Sequence, residues 1–549
     1  MKVLPLAVLT ATFAGSALAW AAGTPCDSLT KLQLPHVEIT SATLVEKGAF
    51  TPPRNPMMGG GQQPAANPAA RPAGAAAPGG QAAPAGGQGG PGGGMQAQQA
   101  ALYKTLPAFC DVQAISRPSA DSEIKFELWM PAEGWNGRLA ETGNGGFGSN
   151  IGYNNLAEFV AKGYAGTGSN TGHEGGANSL IGHPEKLIDW GYRAVHETTV
   201  NAKLIVAAYY GSGPKYSYWD ACSTGGRQGW MAAEYYPSDF DGYVIGDPAN
   251  PMTRLQSGSI WSNRVVQKDP ATFISAAKWQ MIHDTILKQC DGKDGVVDGL
   301  IQDPTVCNFD PNTLLCKSGD GDDCLTAVQI DALNKLAHGA VSPTTGKNFY
   351  PGWPMATKQF PGPVLGNKQG ADPQGDAIDT FRVLFQDANW DYHTMDFDAD
   401  IAKSDKMGNG LMNAVDQTKL KPIFDHGGKV LLYHGWADPN ITPLISVEYY
   451  NSAVEANGGL DKTYNEIRLF MVPGMGHCGG GDGPNAFDKL DAISNWVEKG
   501  KAPDAIVAAH SNSQGYVDRT RPLCPYPQVA KYKGTGNIND ADSFVCAKP

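Results

Sequence analysis

The chain lacks the features that mark two large classes of protein. Its 549 residues include 42 lysines and arginines against 54 aspartates and glutamates, a formal net charge of -12, and the basic residues are not gathered into one stretch. A protein without a basic stripe is a poor match for a nucleic-acid partner. Beyond the N-terminus no run is long and apolar enough to cross a membrane, which argues against an integral membrane protein.

Two motifs for small ligands are also missing. The glycine-rich stretch 142–148 follows a predicted strand, but no Gly-Lys-Ser/Thr follows it and its spacing does not fit a dinucleotide fingerprint. His173 and Glu174 are neighbours, yet no second histidine stands at helical spacing, so the pair is a poor zinc site. We therefore expect no organic cofactor and no zinc.

The N-terminus has the pattern of a secretory signal peptide. Lys2 precedes an apolar run that ends in the small-residue site Ser16-Ala17-Leu18-Ala19. The alternative is a membrane anchor, which the shortness of the run and its small residues disfavour. Removal of residues 1–19 predicts a secreted or periplasmic protein without membrane association, in a compartment that permits disulfides.

The cysteines form an even set of ten, which suits complete pairing. Counting alone leaves about 945 connectivities. Closeness in sequence favours three short loops, and the remaining four cysteines would then form two longer links. The expected pairs are Cys290 with Cys307, Cys316 with Cys324, Cys524 with Cys546, Cys26 with Cys110, and Cys222 with Cys478.

The order of predicted elements indicates an α/β core with a long insertion. Strands alternate with helices, which favours a mostly parallel sheet. Residues 250–425 break the alternation, and we interpret them as a lid domain between the two parts of the core, 26–249 and 426–549. The strands are predicted at 163–168, 216–220, 242–246, 429–433 and 467–472, and the helices at 190–210, 228–236 and 486–498.

A low-complexity segment covers residues 51–100. It consists mainly of glycine, proline, alanine and glutamine, a composition that cannot bury an apolar face and therefore predicts disorder. Because it lies between Cys26 and Cys110, a disulfide there would close the base of a long loop. We interpret the segment as a surface insertion without a binding role.

Three residues occur in the chain order of an α/β-hydrolase triad. Ser223 lies between a predicted strand and a predicted helix among small residues, the setting of a nucleophile on a sharp turn. Asp438 and His477 each follow a predicted strand, where open α/β sheets collect active-site groups. His477 would take the proton of Ser223, and Asp438 would orient the imidazole. Each residue alone has a structural explanation as a turn, capping or surface residue; their shared order favours the triad.

Other residues near the triad have predicted roles or compete for one. The oxyanion hole should use the backbone N–H of Thr224, directly after the nucleophile, and that of Gly146 in the glycine-rich turn. Asp247 also ends a predicted strand and is the rival to Asp438 for the acid role. His434, at the end of another strand, suits a buried hydrogen-bonding role.

An acidic stretch in the insertion has the composition of a calcium site. Asp291, Asp294 and Asp298 stand three and four residues apart among glycines and can surround one hard cation. Ca²⁺ takes about six to eight oxygens, so the carbonyls of Val296 and Leu300 would help to fill its shell. The spacing is not that of an EF-hand. The alternative is a pair of Asp-Gly turns with solvated carboxylates.

Several of these motifs together resemble the tannase and feruloyl esterase family. The resemblance covers nearly everything after the low-complexity segment. It implies an α/β-hydrolase core, a lid with structural calcium held by Asp291, Asp294, Val296, Asp298 and Leu300, and a disulfide between Cys222 and Cys478 beside the triad. It rests on the stretches 222–227, 290–304, 433–439, 473–478 and 521–527, which include Cys-Ser-Thr-Gly-Gly-Arg and Pro-Gly-Met-Gly-His-Cys.

The resemblance also implies a substrate class. Such enzymes hydrolyse esters of aromatic acids, so the first hypothesis is a secreted serine carboxylesterase that cleaves feruloyl or galloyl esters through an acyl-enzyme. The second is an aromatic monoester hydrolase similar to the mono(2-hydroxyethyl) terephthalate branch, from which residues 381–390 and 439–441 depart. A third, from another class, is a catalytically idle binding protein on a hydrolase fold, which an intact triad argues against.

Overall fold

The computed structural model describes residues 23–53, 100–355 and 362–549. The predicted signal peptide and nearly all of the low-complexity segment lie outside these ranges, so the predictions for them are not addressed by the fold. Within the ranges, no helix combines the length and the apolar character that a membrane span requires.

A nine-stranded sheet forms the centre of the protein. Its strands are β1 (Val37–Val45), β2 (Phe109–Ser116), β3 (Ile124–Pro131), β4 (Arg138–Thr142), β5 (Ala165–Ser169), β6 (Tyr216–Cys222), β7 (Gly242–Gly246), β10 (Lys429–Gly435) and β11 (Ile467–Val472). Three two-stranded sheets pair β8 (Gly339–Val341) with β9 (Asn348–Pro351), β12 (Ile506–Ser511) with β13 (Val517–Leu523), and β14 (Val529–Tyr532) with β15 (Phe544–Ala547).

The large sheet is parallel except at one edge. Its order is β1-β2-β3-β5-β4-β6-β7-β10-β11. The six strands β5, β4, β6, β7, β10 and β11 pair in parallel. The pairs β1–β2, β2–β3 and β3–β5 are antiparallel. Every residue of β7 and β11 is buried, as expected for parallel strands covered on both faces. The predicted fold class, an α/β-hydrolase fold with a mostly parallel sheet, is confirmed.

Helices cover both faces of the sheet. On one face Trp230 and Tyr449 pack in a large apolar cluster with β7, β10 and β11, and on the other Trp496 packs against the same strands. Residues 100–105 are helical, and the other described α-helices are Tyr153–Ala161, Pro184–Ile188, Ala194–Tyr210, Thr224–Tyr235, Met252–Gln267, Ala276–Cys290, Ala327–His338, Gly362–Leu365, Gly375–Phe385, Ala399–Gly408, Lys421–Asp425, Leu444–Ala456, Leu460–Thr463 and Lys489–Lys499.

Three helix starts differ from the prediction. The helix expected at 228–236 begins at Thr224, because its glycines pack directly against the sheet instead of forming a loop. The helix expected to begin at residue 190 starts as a π-helical turn, Asp189–Arg193, before the α-helix Ala194–Tyr210. The closing helix, expected at 486–498, begins three residues later and spans Lys489–Lys499. The first difference matters most, because it leaves no residues between the predicted nucleophile and the helix.

The chain between β7 and β10 forms a mainly helical layer with apolar clusters of its own. One of these contains Val266, Ile282, Leu333 and Trp353. The region holds two of the five disulfides, and no described cysteine is free. Three of the five pairs are those that closeness in sequence favours and the other two are the remaining links, so the disulfide prediction is confirmed.

Candidate active site

Ser223 occupies a sharp turn between β6 and the helix Thr224–Tyr235. Its backbone has φ 64° and ψ -126°, a region that a residue with a side chain rarely adopts and that costs about 1–3 kcal/mol. The neighbours hold it there: its N–H donates to Gly246 O at 2.9 Å, and its carbonyl accepts from Ala249 N at 3.0 Å. A side chain at Gly225 would lie 2.6 Å from Ala221 Cβ, so the turn tolerates only small residues.

The predicted triad residues meet at the carboxyl ends of their strands. His477 Nε2 lies 2.9 Å from Ser223 Oγ, and His477 Nδ1 lies 2.7 Å from Asp438 Oδ2. The imidazole therefore bridges the hydroxyl and the carboxylate, the arrangement that general-base activation of a serine needs. Asp438 is fully shielded, and its other oxygen accepts from the backbone N–H groups of Asn440 and Ile441 at 2.8 and 3.0 Å.

The electrostatics of the site favour a charged acid and a basic imidazole. Burial opposes ionisation of Asp438, but the charge and hydrogen bonds of His477 and His434 outweigh it and hold the pKa of Asp438 below its usual range. Burial also opposes protonation of His477, and the Asp438 carboxylate more than compensates, so the pKa of His477 lies above its ordinary value. The pair is therefore suited to form an imidazolium–carboxylate contact.

His434 and Asp247 lie behind Asp438. His434 Nε2 donates to Asp438 Oδ2 at 3.1 Å, while its Nδ1 lies 2.7 Å from Ser446 Oγ. Asp247 Oδ1 accepts from Gly435 N–H at 2.9 Å and lies 3.6 Å from His434 Nε2. Burial raises the pKa of Asp247 to about 6. Asp438, and not Asp247, thus hydrogen-bonds the imidazole of His477. The bond with Ser446 had no signal in the sequence, since this serine lies inside a helix.

A disulfide joins the two loops that carry the serine and the histidine. Cys222 and Cys478 are bonded with their Cα atoms 5.9 Å apart, and they are the direct neighbours of Ser223 and His477. The bond closes a loop of 256 residues, which the chain-entropy model associates with about 5 kcal/mol of stabilisation. It also limits how far the base can move from the hydroxyl.

The glycine-rich turn packs against the start of the helix after Ser223. Asn144 N–H donates to Gln228 Oε1 at 3.1 Å, and a side chain at Gly143 would lie 2.8 Å from Gly225 Cα. Gly146 has φ +50°, and a Cβ there would lie 2.5 Å from Asp376 Oδ2. The two residues predicted for the oxyanion hole, Gly146 and Thr224, therefore belong to segments in contact.

His173 hydrogen-bonds the glycine-rich turn through Phe147 O and does not resemble a metal ligand. Its Nε2 lies 3.0 Å from Phe147 O, and its Nδ1 lies 3.1 Å from Thr171 Oγ1. Burial lowers its pKa, which favours the neutral ring. Both nitrogens are engaged within the protein.

In the acidic loop of the insertion, some carboxylate oxygens accept hydrogen bonds and one buried oxygen has no partner. Asp291 accepts from the N–H groups of Asp298 and Gly299 at 3.2 and 2.9 Å. Asp294 Oδ2 is buried without a partner, which a cation would remedy. Asp298 Oδ2 pairs with the buried Arg521, so a cation would share this carboxylate with a guanidinium. The oxygen donors fit Ca²⁺.

Comparisons with known proteins agree on one family. The family model "Tannase and feruloyl esterase" matches residues 110–547. An "uncharacterized esterase" of Xanthomonas campestris is 36% identical over 96% of this chain and 91% of its own length. A "probable feruloyl esterase B-2" of Aspergillus terreus is 35% identical over 80% of this chain and 86% of its own.

Solved structures are similar over nearly the whole chain. An esterase from Aspergillus oryzae has a TM-score of 0.81 at 30% identity, covering 95% of this chain and 99% of its own. Feruloyl esterase B from the same organism has a TM-score of 0.79 at 29% identity with the same coverage. A tannin acyl hydrolase from Aspergillus niger has a TM-score of 0.68 at 22% identity over 81% of this chain and 87% of its own, and is alike in fold.

Proposed function

Because the chain belongs to the tannase and feruloyl esterase family and is a carboxylic ester hydrolase, we propose that it is a secreted serine esterase for esters of phenolic aromatic acids, such as feruloyl or galloyl esters. The observation that carries this proposal is the continuous line of hydrogen bonds from Asp438 through His477 to Ser223, at 2.7 and 2.9 Å. Membership of an esterase family weighs against the idle binding protein.

Acylation would begin at Ser223. His477 Nε2 takes the hydroxyl proton as Oγ attacks the ester carbonyl, and the imidazolium is stabilised by Asp438. Collapse of the tetrahedral intermediate breaks the bond to the alkoxy oxygen, which receives the proton from His477 and leaves as the alcohol. The aromatic acid is then held as an ester on Ser223.

Deacylation would repeat these roles with water. His477 takes a proton from a water molecule, whose oxygen attacks the acyl carbonyl. The bond to Ser223 Oγ breaks, His477 returns the proton to it, and the aromatic acid is released. In both halves the negative charge on the carbonyl oxygen would be bound by the backbone N–H groups of Thr224 and Gly146.

Gly146→Ala should lower kcat by about 10²-fold, because a displaced oxyanion donor costs roughly that much. The new Cβ meets Asp376 Oδ2 at 2.5 Å, and φ of +50° strains any residue with a side chain. Gly145→Ala is the matched control, since a Cβ there has nothing within 4 Å. A kcat of Gly146→Ala equal to those of Gly145→Ala and the wild type, measured on one ester, would show that Gly146 does not supply the donor.

Calcium in the loop 291–300 is the second part of the proposal. Asp291, Asp294 and Asp298, with the carbonyls of Val296 and Leu300, would hold the ion, which neutralises buried carboxylates and stabilises the fold. It takes no part in the ester chemistry.

Removal of calcium by EGTA is expected to lower Tm. A ligand present at about 100 times its Kd contributes about 2.7 kcal/mol, which amounts to several degrees for a protein of this type. Calcium should restore Tm whereas magnesium should not. Asp294→Asn is expected to lose this response, because it weakens the ligand set. A Tm that EGTA leaves unchanged in the wild-type protein would rule out a stabilising calcium ion.

Export is the third part of the proposal. Five disulfides suit an oxidising compartment, and the predicted signal sequence would deliver the chain there. Edman sequencing of the protein recovered from periplasm and medium tests it: a mature chain that begins close after residue 19 is expected, and a retained Met1 would contradict cleavage.

The substrate proposal is tested by a panel of three esters with purified mature protein. Methyl ferulate or methyl gallate should be hydrolysed with a higher kcat/KM than mono(2-hydroxyethyl) terephthalate, and a fluorophosphonate should label the Ser223 peptide. Turnover of the terephthalate ester alone would replace the phenolic-ester proposal with the monoester hydrolase. No turnover and no labelling would reject the serine esterase.

A further inference from the structure

One carboxylate of the insertion reaches the glycine-rich turn beside the triad. Asp376 lies in the helix Gly375–Phe385, and its Oδ2 is 2.5 Å from the position that a Cβ of Gly146 would take. The turn itself contacts the first residues after Ser223 through Gly143 and Asn144. The insertion thus brings a carboxylate against the turn that carries the proposed oxyanion donor.

This carboxylate has no counter-charge within the described part of the chain. No described donor forms a hydrogen bond with the carboxylate oxygens of Asp376. Its backbone carbonyl accepts a hydrogen bond from the hydroxyl of Thr380. Burial, and then the charge of Asp379, raise the pKa of Asp376. Asp379, three residues further along, differs in this respect because Arg382 lies 3.4 Å from it. Asp376 therefore lies against the turn without a described counter-charge.

We propose that Asp376 is a specificity-determining residue that selects neutral aromatic esters against esters that also carry an ionised carboxylate. The inference rests on the proposed function and defines its substrate class more narrowly. Two like charges in a partly desolvated cleft repel each other more strongly than in water, whereas a neutral ester of the same shape does not experience this repulsion. Selection of this kind works against the unwanted substrate and needs no contact with the preferred one.

A pair of esters that differ by one carboxylate tests the proposal. Mono(2-hydroxyethyl) terephthalate and 2-hydroxyethyl benzoate share the scissile bond and the alcohol, and the first adds a para carboxylate. The measured quantity is the ratio of their kcat/KM values, anionic over neutral, at pH 8. The ratio cancels any effect of Asp376 on the chemical step that both esters share.

Asp376→Asn should raise this ratio about tenfold, an effect of the size that removal of one nearby like charge produces. Asp379→Asn, which removes one negative charge from the same helix, should change it less than about twofold, because that charge is already paired. Added NaCl should raise the wild-type ratio and leave the Asp376→Asn ratio nearly constant, since salt screens the repulsion. Asp376→Ser should repeat the result if asparagine perturbs the turn.

A ratio that stays within twofold of wild type in both Asp376 variants overturns the proposal, and so does an equal rise in Asp379→Asn. If the anionic ester is below detection for wild type, turnover gained in Asp376→Asn supports the proposal and its continued absence overturns it. These failures leave hydrolysis of 2-hydroxyethyl benzoate and fluorophosphonate labelling of Ser223 intact. Loss of both in the wild type would instead reject the serine esterase and the selectivity with it.

Discussion

Ser223→Ala is expected to lower kcat by about 10⁶-fold. Ser223 Oγ is the atom that would be acylated. Without it, the variant retains only the catalysis that substrate binding and the oxyanion donors provide. Alanine removes one partly buried contact with His477 Nε2 and leaves the backbone bonds of the turn, so the fold should persist. The measurement is kcat on methyl ferulate, with wild-type contamination quantified by fluorophosphonate titration.

Ser494→Ala is the matched control for this experiment. Ser494 is a buried serine in the helix Lys489–Lys499, and its hydroxyl donates to a backbone carbonyl. Its replacement should leave kcat within about twofold, as expected for a substitution away from the site. A Ser223→Ala enzyme that keeps more than about one per cent of wild-type kcat would contradict a covalent role for this hydroxyl.

The sequence predicted the core of the site because each triad residue follows a strand with a strong local signal. β7 and β11 have the predicted bounds, and β6 and β10 are longer by two residues each. Short apolar runs followed by glycine, proline or small residues are recognisable without tertiary information. The parallel order of strands then places the residues after β6, β10 and β11 at one edge of the sheet.

The layer around the triad could not be predicted in the same way. The contact of Asp376 with Gly146 depends on how the insertion lies over the core, which no local pattern encodes. The helix start at Thr224 was missed because glycines lower helix propensity, whereas here they allow close packing against Gly246 and Trp219. Tertiary contacts decide the structure at both places, and at Thr224 they outweigh a contrary local preference.

Asp438→Asn is expected to lower kcat by about 10⁴-fold, the loss typical when the acid of a Ser-His-Asp triad becomes an amide. The amide removes the charge that stabilises the imidazolium. Its NH₂ group can also donate to His477 Nδ1, which favours the wrong tautomer of the imidazole. His434 also loses the charged acceptor of its Nε2, which keeps only Ile441 O at 3.3 Å, so two imidazoles are affected. Steady-state kcat on methyl ferulate measures the effect.

Asp247→Asn distinguishes the role of Asp247 from that of Asp438, the carboxylate that hydrogen-bonds His477. Asp247 contacts Gly435 N–H and not His477, so kcat should fall less than about tenfold. The charge of Asp247 nevertheless contributes to raising the pKa of His477. Because the base must be deprotonated, wild-type kcat/KM should fall as the pH drops through a midpoint above 6.5, and this midpoint should move to lower pH in Asp247→Asn. A loss of kcat in Asp247→Asn as large as that in Asp438→Asn would assign the acid role to Asp247 instead.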